Sequence, residues 1–515
     1  MKSIGLLCVL VAGLVIGYLG PKIYNRPNSK KLQEKSFPVL EHKSMTVVAF
    51  GSCEQLSRRA QSVLEQEYGS FRLVSTTDFA HLYQTIHQCK DDEIVVLLTG
   101  ADWLAHPHVL KRINEIYANP DIWVTYGNYM AYPSYQQGSS HEPLPKNLRQ
   151  APPQISCPYT FYAGLFKQIS LQDFLFEGEF YPIINNKAII TPLLELAGKR
   201  YQFVPEVLCV HPDQALKQEE VGISDYICSL PAYTPASVRK IQEKRKTADL
   251  VIFSYDRPMQ LFALLESVQK YVTHLGQTTV IYRSSGENYE GGYLQVKNRF
   301  PLVHFCKQGE KAEEDFKPLT LEAIFAAPSE HVVFAVDDIV LKDYVDMADC
   351  IYWMEHTGAY GFFLRLGQNT DYSYMMDQKQ EIPRSVDLGS GIFAWQFGVG
   401  KCDWDYPHTV DFTVYKKSDI EPRLRKIKYR HPNEMECHWA QKADRRKIGL
   451  YYAQSKMVNI PLNLVHISGN RNMGRYDPQE LLEKFKAGLK IDIAPLHQID
   501  NNSCHVNYEV AFVER

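Results

Sequence analysis

Apolar runs of strand length recur along this chain, and the stretches between them carry the spacing of amphipathic helices. No other feature limits the fold so strongly. Residues 45–50 (MTVVAF) and 93–98 (EIVVLL) are two such runs, the second unbroken enough for a fully buried strand. Residues 55–68 and 107–117 read as helices, with Val109, Leu110, Ile113, Ile116 and Tyr117 on one face of the second. The alternation restarts at 250–254 (LVIFS), followed by a helix that Pro258 opens and that runs to Tyr271. Further runs lie at 278–282, 302–305 and 331–336 (HVVFAV). Strand–helix alternation predicts α/β sheets, and the restart predicts two versions of one plan. A chain of 515 residues is too long for one ordinary core, which agrees.

Composition narrows the function classes. With 45% hydrophobic and 22% charged residues the chain is folded globular protein, and a net charge of −3 with a pI near 6.6 argues against a general nucleic-acid binder. The polar, Pro-containing stretch 133–153 reads as a long loop, and the basic stretch 237–246 as a connector between the halves.

The most informative local feature is HVVFAVDDIVLKDY, in which an apolar strand ends on Asp337 and Asp338. Adjacent carboxylates repel when desolvated, so they need either water or a divalent cation. Mg²⁺ and Mn²⁺ favour such oxygen ligands and share them with substrate phosphates. A solvated turn is the alternative. The first strand of the same half ends in Ser254-Tyr255-Asp256-Arg257-Pro258, and ligands collect at the carboxyl ends of parallel strands.

With these motifs in this order, residues 247–470 resemble the nucleotide-sugar glycosyltransferases of the GT-A fold (Rossmann-like nucleotide-diphospho-sugar transferases). The resemblance implies that Tyr255, Asp256 and Arg257 contact the nucleoside, that Asp338 ligates a divalent cation (Mn or Mg) bridging the diphosphate, and that Asp337 contacts ribose or the donor sugar. It also implies an acidic residue that deprotonates the acceptor hydroxyl. Glu434, in the stretch HPNEMECHWA, is the first choice, Glu436 the second and Asp405 a third. A plain helix-start carboxylate is the alternative for Glu434. Residues 359–367 (AYGFFLRLG) read as a strand that brings Arg365 to its end. Trp395, Asp403, Trp404, Asp405 and Tyr406 suit an acceptor subsite or, equally, ordinary packing. After a strand at 463–467 (NLVHI), His466 stands where related folds place a metal ligand, and Arg471 and Arg475 where they place a basic lid. Val336 departs from the family pattern, in which an acidic residue often stands there.

Residues 45–215 resemble the same fold, through EIVVLLTGADWLAHPHVLKRINEIYANPDIWVTYGNY. Relatives read D-G-D-D-W-L where this chain has Thr99-Gly100-Ala101-Asp102-Trp103-Leu104, so two of three carboxylates are missing. Lys187 stands where an acceptor-side Asp is expected. This half reads as a degenerate, pseudoenzyme copy.

Residues 4–20 form an unbroken apolar run at the short end for a membrane-spanning helix, and the cations after it outnumber those before it. They predict a single-pass anchor over residues 1–25, a tether over 26–44, and the remainder on the cytoplasmic face. The eleven scattered cysteines, with no C-x-x-C pair, read as reduced thiols in a reducing compartment. The sequence thus predicts an anchored pair of α/β domains, residues 45–240 and 247–515. The second would move a sugar from a nucleotide-diphosphate donor to a glycan, lipid or protein acceptor. A catalytically inactive, membrane-anchored glycan-binding or scaffold protein is the rival reading.

Overall fold

The two restarts of the alternation become two sheets in the computed structural model, which describes residues 42–51, 56–138, 144, 147–150, 157–181, 186–213, 221–236, 246–441, 443–463, 471 and 475–515. The first has eight strands among the described residues, running Phe71–Thr76, Met45–Phe50, Ile94–Thr99, Tyr159–Tyr162, Val124–Tyr132, Tyr201–Pro212 and Trp103–Leu104, with Gln137–Gly138 paired to Val124–Tyr132. The second has nine: His304–Lys307, Leu275–Arg283, Ala248–Tyr255, His331–Val336, Thr413–Lys416, Gly361–Phe363, Ile448–Tyr452, Ile392–Gln396 and Val386–Gly389.

From Phe71–Thr76 to Tyr201–Pro212 the first sheet runs parallel, parallel, antiparallel, antiparallel, parallel. From Leu275–Arg283 to Ile448–Tyr452 the second repeats that succession, with the same order of chain segments. The short strand after each sheet's central edge also pairs alike, Trp103–Leu104 with Cys209 and Val210, and Ile339–Leu341 with Met457–Asn459.

The unbroken apolar runs are buried on both faces as expected, Met45–Phe50 and Ile94–Thr99 throughout their length. The helix Pro258–Tyr271 has the predicted bounds, and its buried face packs on the core of the second sheet. One apolar cluster takes in both halves, with Phe166 and Leu193 from the first and Leu265 and Phe362 from the second. Polar links cross as well: the Gly178 N–H donates to Gln396 Oε1 at 3.2 Å, and Ser170 Oγ donates to the Thr357 carbonyl at 3.3 Å. Residues from His42 to Arg515 pack as one compact unit.

Several expectations are corrected. The helix predicted over 55–68 is Leu56–Leu64. The strand predicted over 359–367 shrinks to Gly361–Phe363, because Arg365 turns away to the carbonyls of Asp403 and Tyr406. Residues 42–44, placed in the tether, are packed: the His42 ring stacks on Tyr68 at 5.1 Å, and the Lys43 N–H donates to Asn114. The remaining tether and the apolar run at 4–20 lie outside the described residues, as does the 463–467 strand beyond Asn463. Among the described residues no helix is long and apolar enough to cross a membrane. The reading of every cysteine as a reduced thiol fails, since Cys157 and Cys209 form a disulfide with a Cα–Cα separation of 5.5 Å. Thiol content therefore no longer argues for a reducing compartment.

Candidate active site

The strand Ala248–Tyr255 and the helix Pro258–Tyr271 are joined by Asp256 and Arg257 alone, which turns the chain sharply at the sheet edge. Asp256 takes a left-handed backbone (φ 52°), and its carboxylate accepts the Ser285 N–H at 2.8 Å. The next strand over, His331–Val336, delivers Asp337 and Asp338 to the same edge. Asp337 accepts the Tyr255 N–H at 3.2 Å. Arg257 Nη1 donates to Asp337 Oδ1 at 3.0 Å and to Asp338 Oδ2 at 3.2 Å, while its Nε donates to Asn463 Oδ1 at 3.0 Å. Burial opposes charge on this guanidinium, but the two carboxylates outweigh it and hold Arg257 above its usual range. The Tyr255 ring is free of this network and lies under the Arg283 guanidinium at 4.9 Å.

Asp338 differs from its neighbour in one respect. Its Oδ1 is buried with no hydrogen-bond partner, and burial, with Asp337 and Asp411 adding to it against the pull of Arg257, pushes this carboxyl up to about 6. Asp411 was not foreseen. It lies just before the strand Thr413–Lys416, which runs antiparallel to His331–Val336 with Val333 opposite Val414, and the Phe412 N–H beside it donates to the Phe334 carbonyl at 2.9 Å. His505 Nε2 lies 3.8 Å from Asp411 Oδ2.

The helix Pro432–Ala440 decides between the two candidate bases. Residues two apart on a helix do not share a face. Glu434 turns to the surface, where it accepts from the Arg430 N–H (2.8 Å) and Nε (3.2 Å); these contacts hold its carboxyl below the usual range. Glu436 turns inward and accepts the Val410 N–H at 2.6 Å. Burial, then the charge of Asp411, pushes Glu436 up to about 7.

The structure therefore brings together Tyr255, Asp256, Arg257, Asp337, Asp338 and Glu436, with Asp411, His505 and Asn463 added. Arg365 is fully buried behind them, holding the carbonyls of Asp403 (2.7 Å) and Tyr406 (3.0 Å), with the Asp411 charge acting on it. Asp405 lies outside the cluster, in an ion pair with Arg445 at 2.8 Å. Trp395 and Trp404 are core: both are fully buried, and their ring N–H groups donate to the carbonyls of Trp404 and Thr370. They offer a sugar no surface. Arg471 pairs with Asp377 at 2.6 Å and covers the Tyr374 ring at 4.5 Å. Arg475 pairs with Glu509 at 3.1 Å, and His466 lies outside the described residues.

The corresponding edge of the first sheet carries different chemistry. Asp102 is buried, which raises its carboxyl; His211 Nδ1 lies 2.6 Å from it, and that hydrogen bond raises the imidazole. Cys157 stands two residues before the strand Tyr159–Tyr162, whose first residue lies opposite Leu97. Cys157 is held there by its disulfide to Cys209. Lys187 packs against Cys228 at 3.1 Å. Among the described residues, Asp102, Cys157 and Cys209 are the one group of three metal-type side chains with ligand atoms within 4.8 Å of one another, and two of the three are tied to each other.

No family model matches the chain. The bifunctional glycosyltransferase pgtA of Dictyostelium discoideum is 27% identical to it over 213 residues, which are 36% of this chain and 27% of that protein. The chain is a distant relative of a glycosyltransferase. It matches little more than a quarter of that relative's length. Among solved structures, S. aureus TarS 1-349 in complex with UDP-GlcNAc aligns at 12% identity over 34% of this chain and 60% of that one, with a TM-score of 0.23. The 4-diphosphocytidyl-2C-methyl-D-erythritol synthase of Anaerococcus prevotii aligns at 12% over 42% and 91%, with a TM-score of 0.26. Likenesses this weak carry no argument.

Proposed function

We propose that this chain is a nucleotide-sugar glycosyltransferase with two tandem GT-A-like domains, over residues 45–240 and 247–515. The second would be catalytic and the first degenerate. The observation that carries this reading is the convergence of Asp337, Asp338, Asp411 and Glu436 on one sheet edge, with a single guanidinium, Arg257, among the first two. A cluster with more carboxylates than cations is poorly suited to passive packing and well suited to proton transfer and to a cationic or metal-held substrate. The distant homology supports the reaction class.

In this reading the nucleoside lies against Tyr255 and Asp256, and the diphosphate approaches Asp338. An acceptor hydroxyl attacks the anomeric carbon of the donor; the new C–O bond forms, the bond to the diphosphate oxygen breaks, and the hydroxyl proton passes to Glu436. A base that titrates near 7 is half in its active form at neutral pH, the condition for efficient general-base catalysis. Burial, then the Asp411 charge, keeps Glu436 basic, and His505 stands 3.8 Å from Asp411. Asp338, with its unpartnered Oδ1, and Asp337 would be the residues to hold a divalent cation. Such an ion would neutralise the leaving diphosphate. The apolar run at 4–20 supports an anchor, and the cations after it support the cytoplasmic face.

The test is a screen of nucleotide sugars for Mg²⁺- or Mn²⁺-dependent release of free nucleotide, repeated on Asp338→Asn and Glu436→Gln. Loss of release in both variants is expected. Undiminished release in either would remove that residue's role, and no turnover across the donors would sink the reading.

A further inference from the structure

Beside the carboxylate centre lies a cleft of about 580 Å³ lined by Tyr372, Tyr374, Asp500, Asn502, His505, Asn507 and Tyr508, among others. His505 belongs to both places, since it lines the cleft and lies 3.8 Å from Asp411. Among the described residues, His505 is thus the one lining side chain that stands between the cleft and Asp411.

The walls are fixed by contacts that need no ligand. Asn459 pairs with His505 as an isolated bridge, its N–H donating to the Cys504 carbonyl and its carbonyl accepting the Val506 N–H, each at 2.9 Å. The Tyr372 N–H donates to the Asn502 carbonyl at 2.9 Å, and the Tyr374 N–H to Ser503 Oγ at 3.2 Å. Tyr374 is itself held between the His505 ring and the Arg471 guanidinium, with its hydroxyl donating to Asn507 Oδ1 at 2.7 Å. A preformed cleft loses little order on binding.

Its chemistry selects against the donor diphosphate. The one full cation among the described lining residues, Arg471, is neutralised by Asp377, and Asp500 adds a negative charge. Among the described residues the Asn502 amide, the Asn507 Nδ2, the Tyr508 hydroxyl and the Asp500 carboxylate are without hydrogen-bond partners. Neutral amide donors, one carboxylate acceptor and the half-buried rings of Tyr372 and Tyr508 match the hydroxyl edges and CH faces of an uncharged sugar.

We propose that this cleft is the acceptor subsite and that it takes a neutral glycan, presenting a sugar hydroxyl to Glu436 and Asp411. The inference rests on the glycosyltransferase reading above and narrows its acceptor class.

The test uses the full chain, a panel of p-nitrophenyl hexosides and N-acetylhexosaminides, and the variants Asn507→Ala, Tyr508→Ala and Asn502→Ala. These residues lie on exposed or half-buried positions and hold no core contact with Glu436. Saturation-transfer NMR should detect at least one glycoside, and each variant should weaken it about tenfold while leaving the affinity for UDP and GDP within about twofold. If UDP or pyrophosphate competes with the glycoside and loses affinity in the same variants, the cleft holds the donor and the proposal is wrong. It is equally wrong if no glycoside binds at about 50 mM, far above a useful substrate affinity. Donor turnover separates the two claims: cleft-dependent glycoside binding without nucleotide release from any donor refutes catalysis and leaves a glycan site. Nucleotide release without cleft-dependent binding refutes the acceptor assignment alone.

Discussion

Replacing Glu436 by Gln should make the protein more stable and less active at once, with the stability gain appearing only at high pH. Burial and the Asp411 charge push this carboxyl from its ordinary 4.5 to about 7. The folded chain then binds a proton that the unfolded chain lacks between those values, so the contribution is present at low pH and is lost as pH rises through about 7. A shift of this size corresponds to about 3 kcal/mol at full ionisation, and because the shift is shared with Asp411 a gain of about 1–3 kcal/mol is the working expectation. Glutamine keeps an oxygen for the Val410 N–H, so the helix contact survives. Urea unfolding, followed by the fluorescence of buried Trp395, Trp404 and Trp439, should give matching midpoints near pH 4 and a higher midpoint for the variant at pH 8. Nucleotide release should fall about 10²–10⁴-fold, the usual worth of a general base. For the parent, kcat should rise with pH through about 7. Equal destabilisation at both pH values, or release near the parent rate, would refute the assignment of an ionising base to this position.

Asp338→Asn keeps an acceptor for Arg257 but removes the carboxylate charge, so donor turnover should fall about 100-fold or more with little change in melting temperature. Arg257→Met strands two buried carboxylates and should cost about 3–5 kcal/mol in urea unfolding, with Asp337→Asn in the same chain recovering part of it. Reducing Cys157–Cys209, which closes a loop over a sequence separation of 52, should cost about 4 kcal/mol by chain entropy. Thiol titration of the unfolded chain with and without reductant should differ by two groups, and an equal count would show that the bond does not form.

Local elements were legible because their signals are local. The helix Pro258–Tyr271 carries its own start signal and period, and His331–Val336 is an unbroken apolar run ended by its carboxylates. Asp411 was invisible because it comes from the turn that leads into an antiparallel neighbour, whose place in the sheet no nearby residue encodes. His505 arrives through one bridge to Asn459, across a longer stretch of chain. The choice between Glu434 and Glu436 depends on how their helix is docked, and the sequence offers Arg430 as a partner for the first without saying so. Trp395 and Trp404 show the limit of residue type: an aromatic pair suits a sugar platform or a core, and burial alone decides.

The two sheets make the most economical comparison for what the site requires. They share strand order, strand direction and the short edge strand, so the framework that brings residues to the sheet edge is present twice. What differs is the cargo. Asp102 and Asp338 each directly precede the short strand of their half, and Ala101 stands before the first where Asp337 stands before the second. In the second half burial, with neighbouring carboxylates adding to it against the pull of Arg257 and Arg365, raises Asp338 and Glu436 into the range where protons move. In the first half Asp102, also raised by burial, is met by His211, and Cys157 and Cys209 near it are tied to each other. The two halves thus differ in the side chains they bring to the sheet edge on a similar succession of strands.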